Sequence, residues 1–143
     1  MTDFRPRRSA LYMPGSNARA IDKARSLAAD VIILDLEDAV APDAKAEARQ
    51  RIRSALDAGG FGDREMVVRI NGLATPWGEE DLAAVVPARP AAILLPKVET
   101  ADDIVTASKA MTGAGAPADM QLWAMMETPL AVLRAAEIAA ARR

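Results

Sequence analysis

Five short apolar runs recur along this chain. Each closes in polar or charged residues, and a stretch with helical spacing follows. SALYM runs into Pro14-Gly15-Ser16-Asn17, VIIL into Asp35-Leu36-Glu37-Asp38, and MVV into Arg69-Ile70-Asn71; AAILL runs into Pro96-Lys97 and LWAMM into Glu127-Thr128. Strands joined by helices lie parallel, so all five tips emerge on one side of a single sheet. Parallel α/β folds build their active sites on that side. Acids, an Arg and a Lys gathered there predict an enzyme.

The pattern places strands at residues 9–13, 31–36, 66–70, 92–95 and 122–126. Gly15 permits a tight turn, and Ser16 or Asn17 caps a helix carrying Ile21, Ala24, Leu27 and Ala28. Pro42 suits the first turn of a second helix running through Lys45, Arg49, Ile52 and Leu56 to Gly59-Gly60. A short third helix is expected around residues 80–86 and a fourth over 101–111. A last amphipathic helix opens at Thr128-Pro129 and reaches about Ala140. No linker or internal boundary interrupts the series.

Two architectures fit five βα units. A five-stranded doubly wound domain is complete at 143 residues. A (β/α)₈ TIM barrel needs about 200 residues or more, so these would be its first five units. The tips argue against the complete folds. A phosphoacceptor receiver needs an acidic pair after strand one, an Asp after strand three and a Lys after strand five. Those places hold Pro14-Gly15-Ser16, Arg69 and Glu127. A dinucleotide fold needs a G-x-G-x-x-G turn, which MPGSNA is not.

Composition narrows the chemistry further. The chain has no Cys and no His, which removes thiolate catalysis, disulfides, the commonest general base and the usual zinc ligand. Carboxylates, Lys, Arg, hydroxyls and backbone groups remain, and oxygen donors favour Mg²⁺, Mn²⁺ or Ca²⁺. A net charge of -2 offers no field for nucleic acid, and no stretch suits a membrane span. Arg5, Arg7 and Arg8 read as a solvated basic arm. Without the apolar core of a signal peptide, the expected compartment is cytoplasmic.

Alternation puts Asp35 and Glu37 on one face, with Leu36 and Asp38 on the other. The three carboxylates support a metal and substrate, or form an acidic loop pairing with Lys45 and Arg49. Arg69 shares a face with Val67 and Asn71, and its fork suits a carboxylate or an oxyanion; the alternative is an ion pair with Glu37 or Asp38. Glu127 is a carboxylate at a strand tip, suited to Mg²⁺ or to the dipole of the following helix. Lys97 is a catalytic candidate, including as a Schiff-base lysine, or a support for neighbouring acids. Glu47, Arg51, Glu79, Glu80, Asp102 and Asp103 read as solvated helix faces.

With these residues in place, the sequence resembles the citrate lyase beta-subunit-like and malyl-CoA lyase family. The resemblance is carried by RSALYMPGSN (8–17), ADVIILDLEDAVAPDAKAEAR (29–49), VRINGLATPWGEEDL (68–82), LPKVE (95–99), METPLAV from Met126, and EIAA (137–140). It implies a (β/α)₈ barrel that breaks or forms a carbon–carbon bond in a CoA thioester with Mg²⁺ (or Mn²⁺). Citryl-CoA or a malyl-CoA type is the implied substrate, split by a retro-Claisen reaction into acetyl-CoA and a 2-oxo acid. By the same resemblance Glu127 is a metal ligand that also touches substrate, and Arg69 grips the keto acid. Tyr12 and Lys23 contact the CoA substrate, and Asp35, Glu37, Asp38, Lys45 and Lys97 support the metal network. Asn17 stands where some malyl-CoA lyases have Arg. The family's second metal carboxylate follows strand six, and the chain ends at Arg142-Arg143. Residues 1–143 are therefore expected to be the N-terminal part of a single barrel domain of a homo-oligomer, a trimer or a multiple of one. The alternatives are a non-catalytic acyl-CoA-binding subunit and a CoA-free hydroxy-diacid aldolase.

Overall fold

In a computed structural model, which describes residues 5–141, five parallel strands alternate with helices. They are β1 (Ala10–Pro14), β2 (Val31–Asp35), β3 (Glu65–Arg69), β4 (Ala92–Leu95) and β5 (Gln121–Ala124), each within a residue or two of its expected place. The intervening helices are α1 (Ala18–Ala24), α2 (Lys45–Ala58), α3 (Gly78–Val85) and α4 (Ala101–Gly113). The boundary inferred at Arg142-Arg143 lies outside the described residues.

The strands pair in chain order, β1-β2-β3-β4-β5, and every pairing is parallel. A doubly wound sheet reverses its order at a switch point. No reversal occurs here, and the path is that of successive strands around a barrel. Alternate side chains divide cleanly between the two faces. Ile32, Leu34, Leu36, Val68, Ile70, Ile93 and Leu95 join Ile21, Ile52, Leu82, Ile104 and Met111 from the helices in one core. Val31, Ile33, Val67, Ala92 and Leu94 form a smaller cluster on the other face, with Trp123 and Met125 against it. Helices therefore cover one face only, and the concave face carries the polar tips.

Caps explain where several helices begin. Asn17 accepts the Ala20 N–H at 3.0 Å, as its position predicted. Thr100 and Asp103 form a reciprocal capping box at the start of α4. Asp103, read as a solvated residue, is in fact half-buried and takes the Glu99 and Thr100 N–H groups, each at 2.9 Å. Gly15 lies where strand and helix press together. A Cβ there would stand 2.8 Å from the Asp35 carbonyl oxygen and 2.7 Å from Ile52 Cδ1. Its N–H donates to that same carbonyl at 2.8 Å.

Three expectations change. The first helix stops at Ala24, short of Leu27 and Ala28, because the amides of Arg25, Ser26 and Leu27 turn back to carbonyls three residues earlier. The last helix is two, α5 (Pro129–Leu133) and α6 (Ala135–Ala140). Arg134, at ψ 15°, breaks it, its amide divided between the Leu130 and Ala131 carbonyls. The basic arm is not simply solvated. Arg7 grips Glu65 through Nε at 2.5 Å and Nη2 at 2.8 Å and lies over the Trp123 ring, while Arg8 pairs with Asp30 at 2.8 Å.

Candidate active site

The register fixes which tips share the concave face. Tyr12 is level with Ile33, and Asp35 with Arg69, which is level with Leu94. Arg69 closes β3 and is only 7% exposed. Its Nε donates to Asp35 Oδ1 at 2.7 Å and its Nη2 to Asp35 Oδ2 at 2.6 Å. Two nitrogens of the fork are thus occupied. The third, Nη1, is 3.0 Å from Glu37 Oε2, 4.0 Å from Asp38 Oδ2 and 3.8 Å from Met125 Sδ. Tyr12, half exposed, places its ring 5.0 Å from the guanidinium carbon. The hydrogen bonds donated to Asp35 and the charges of Asp35 and Glu37, acting against burial, raise the Arg69 pKa beyond its ordinary value. The guanidinium is a permanent cation in a dry position.

Asp35 is the hub of the acidic tip. Besides Arg69 it accepts the N–H of Glu37 at 2.9 Å and of Ala39 at 3.2 Å, which bends the chain after β2 into a fixed turn. With four donors on two oxygens and 1% exposure, it positions other groups. Glu37 faces the mouth. Its Oε1 accepts the Lys97 ammonium, while Oε2 is buried and accepts no hydrogen bond, held by Arg69 as an ion pair alone. Asp38 is exposed, 3.7 Å from Lys97 Nζ.

Lys97 and Glu127 meet across the tips of β4 and β5. The Lys97 N–H donates to Glu127 Oε1 at 2.9 Å. The hydrogen bond to Glu37 raises the Lys97 pKa, which works against the neutral amine that a Schiff base needs. Glu127 is exposed at the mouth. The four carboxylates Asp35, Glu37, Asp38 and Glu127 outnumber the cations Arg69, Lys97 and, behind the loop, Lys45. This excess of oxygen donors and negative charge fits a hard divalent cation. Among the described residues no three acids converge as a complete cage.

Among the described residues the carboxylates of the acidic tip do not form ion pairs with Lys45 or Arg49 of α2. Lys45 instead donates to the carbonyls of Leu36 at 2.8 Å and Glu37 at 3.1 Å, with its ammonium 5.0 Å from the Trp77 ring centroid, and burial lowers its pKa. Arg49 turns to Asp81 at 2.6 Å and Glu80 at 2.5 Å. Glu80 is therefore paired, and Arg51 is more than a solvated face, since its Nη1 reaches the Ser16 carbonyl at 2.6 Å. Asn71 leaves the Arg69 face, because β3 ends at Arg69 and the chain then turns toward α3. Its Nδ2 donates to Asp81 Oδ2 at 2.6 Å and the Leu36 carbonyl at 2.9 Å.

Sequence reasoning missed this Asn71–Asp81–Arg49 knot; the available signal was an unbroken polar run, Glu79-Glu80-Asp81, where one member had to face inward. Asn71 of this knot lines a cleft of about 370 Å³ beside the mouth, together with Lys45, Trp77 and Lys97. Lys23 stands apart. It is exposed in the last turn of α1, the turn farthest along the helix from the β1 tip.

Comparison with known proteins agrees with this fold. The sequence model of the HpcH/HpaI aldolase/citrate lyase family matches residues 8–143. A (3S)-malyl-CoA thioesterase of Cereibacter sphaeroides is 49% identical over 135 residues, covering 94% of this chain and 45% of that protein. Citrate lyase subunit beta of Escherichia coli is 38% identical over 140 residues, covering 94% and 46%. Among solved structures, the citrate lyase beta subunit of Mycobacterium tuberculosis complexed with oxaloacetate and magnesium superimposes with a TM-score of 0.74 at 35% identity, over 94% of this chain and 55% of that one. The chain thus spans about half the length of the curated relatives it matches. None of its helices among the described residues is long and apolar enough to cross a membrane.

Proposed function

This chain belongs to the HpcH/HpaI aldolase/citrate lyase family, and from that premise we propose that it forms the mouth of a carbon–carbon lyase acting on a 3-hydroxy-acyl-CoA, citryl-CoA or a malyl-CoA type. Residues 1–143 are read as the N-terminal part of one barrel domain. The sequential sheet with two free edges and the half-length match to relatives support that. The single observation that carries the functional reading is the buried Arg69, locked by Asp35 yet presenting Nη1 toward the mouth.

In the proposed reaction the substrate loses its 3-hydroxyl proton and the bond between C2 and C3 breaks. The electron pair passes to the thioester as an enolate, which gains a proton at C2 to become the acyl-CoA product, and C3 becomes the carbonyl of a 2-oxo acid. Arg69 Nη1 offers a fixed positive charge to the keto-acid end, and its rigid mooring on Asp35 means little reorganisation on binding. Tyr12 walls that end of the mouth, and Glu127 is the residue that would hold Mg²⁺. When bound, Mg²⁺ supplies Lewis-acid polarisation of the keto-acid oxygens. Lys23 is retained as a contact for the distal part of the CoA, away from the reacting carbons.

A second reading is thioester hydrolysis, favoured by the 49% identity to a malyl-CoA thioesterase. The two separate by product: a 2-oxo acid with an acyl-CoA for the lyase, free CoA with a hydroxy acid for the hydrolase. A subunit that only binds thioester would give neither, and a CoA-free aldolase would turn over the hydroxy diacid itself. Citryl-CoA and malyl-CoA are to be assayed with Mg²⁺ in the full-length protein, as wild type and as Arg69→Ala. The variant is expected to lose at least about tenfold in kcat/KM, the equivalent of about 1.4 kcal/mol of transition-state contact. A folded Arg69→Ala enzyme with near-normal kinetics would remove Arg69 from this role.

A further inference from the structure

Lys97 links the acidic tip of β2 to the Glu127 tip of β5, and it does so from a backbone conformation its residue type does not favour. Its φ is 51°, in the left-handed region where a Cβ costs energy and glycine sits freely. That conformation aims the Lys97 N–H at Glu127 Oε1, a contact a glycine would serve equally. The side chain acts elsewhere. Its ammonium hydrogen-bonds Glu37 Oε1 and approaches Asp38 Oδ1 at 3.7 Å. The other oxygen of Glu37 is 3.0 Å from Arg69 Nη1, the one nitrogen of that fork not bonded to Asp35. Glu37 is therefore shared between two cations, and each determines how much of it the other receives.

Resting on the lyase reading above, we propose that Lys97 is a positioning residue for anion recognition: by holding Glu37 and Asp38, its ammonium keeps the charge of Arg69 Nη1 available to the carboxylate of a 2-oxo acid. Without the ammonium, Arg69 is the one cation among the described residues within ion-pair reach of Glu37 and Asp38. The acids then neutralise Nη1, and the mouth becomes one charge more negative. Such a change acts in opposite directions on ligands of opposite sign. It repels an anionic substrate and does not repel a divalent cation.

Lys97→Gly tests this, because it keeps the Glu127 contact and relieves the backbone while removing the side chain that carries the ammonium, and Lys97→Arg separates lost charge from lost packing. Calorimetric titration of the full-length protein would use two probes, Mg²⁺ alone and pyruvate at saturating Mg²⁺. In Lys97→Gly the pyruvate Kd is expected to rise about fivefold or more, while the Mg²⁺ Kd stays level or falls and thermal stability does not drop. Lys97→Arg should bring pyruvate binding back to within about twofold of wild type, since it restores a cation. General damage to the mouth would weaken both ligands together, and that result overturns the proposal. So does a Lys97→Gly protein that binds pyruvate like the wild type while the wild type binds both probes; the lyase reading then survives alone. A wild type that binds neither probe removes the lyase reading, and the inference with it.

Discussion

Asp30, just before β2, shows how much a single carboxylate can organise from outside the mouth. Its Oδ2 accepts the N–H groups of Arg8 at 2.8 Å and Ser9 at 3.2 Å, and its Oδ1 accepts Arg8 Nη2 at 2.8 Å. Those bonds pin the segment entering β1 onto the edge of β2. Hydrogen bonding from Arg8 holds the Asp30 carboxyl far below its ordinary value near 3.8. A depressed folded-state pKa means the ionised form stabilises the fold. That contribution is complete above the ordinary value and is lost as pH falls below it toward the folded value. Between about pH 5 and pH 2 the melting temperature of the wild type is therefore expected to fall more steeply than that of Asp30→Asn. Parallel melting curves across that window would dismiss the contribution, and added salt should shrink it because Arg8 is exposed. None of this was readable locally. The sequence shows a basic arm and an acid 22 residues later, and only the parallel pairing of β1 with β2 brings them together.

Elements were readable where one physical rule dominates. Apolar runs gave all five strands, most sharply β2, β3 and β4, whose burial on both faces needs such runs, and strand ends located Asp35, Arg69 and Lys97 at the mouth. The polar knot under α3 was not readable. An acidic first turn already has a sufficient explanation in the helix dipole, so Glu79, Glu80 and Asp81 look alike in sequence. In the fold they differ entirely. Asp81 has 0% exposure and accepts from Arg49 Nε, Asn71 N–H and Asn71 Nδ2 at 2.6, 2.8 and 2.6 Å. It ties α2, the end of β3 and α3 into one unit that shapes the cleft beside the mouth. Removing one member of such a network strands the others without partners. Asp81→Ala is expected to lower unfolding free energy by about 3 kcal/mol, whereas Glu80→Ala, with its acid mostly exposed, should cost under about 1 kcal/mol. Urea unfolding of the two variants checks the contrast. Equal losses would mean that Asp81 is not the keystone its burial indicates.

At the scale of the whole molecule, the order of the strands decides more than their number. Five βα units are equally compatible with a doubly wound sheet and with part of a barrel; composition cannot separate them, because both bury the same apolar strands. The sequential order β1 to β5 separates them, and it leaves β1 and β5 as free edges. Apolar side chains stand exposed near both. Leu11 and Tyr12 are about two-fifths exposed on β1, and on α5, which follows β5, Val132 is 65% and Leu133 83% exposed. Edges and patches of this kind promote association between chains unless further structure covers them. If residues 1–143 are the first five units of a barrel, the 143-residue chain expressed alone should self-associate in sedimentation, bind a hydrophobic dye, and show no Mg²⁺-dependent turnover. Val132→Asp with Leu133→Lys should reduce that association, because charge at an exposed apolar patch opposes it without touching the core. A monomeric chain that unfolds cooperatively, ignores the dye and cleaves citryl-CoA or malyl-CoA with Mg²⁺ would show instead that five units suffice. The Arg69–Glu37–Lys97 relay and Glu127 would then have to carry the chemistry without the remaining strands of a barrel.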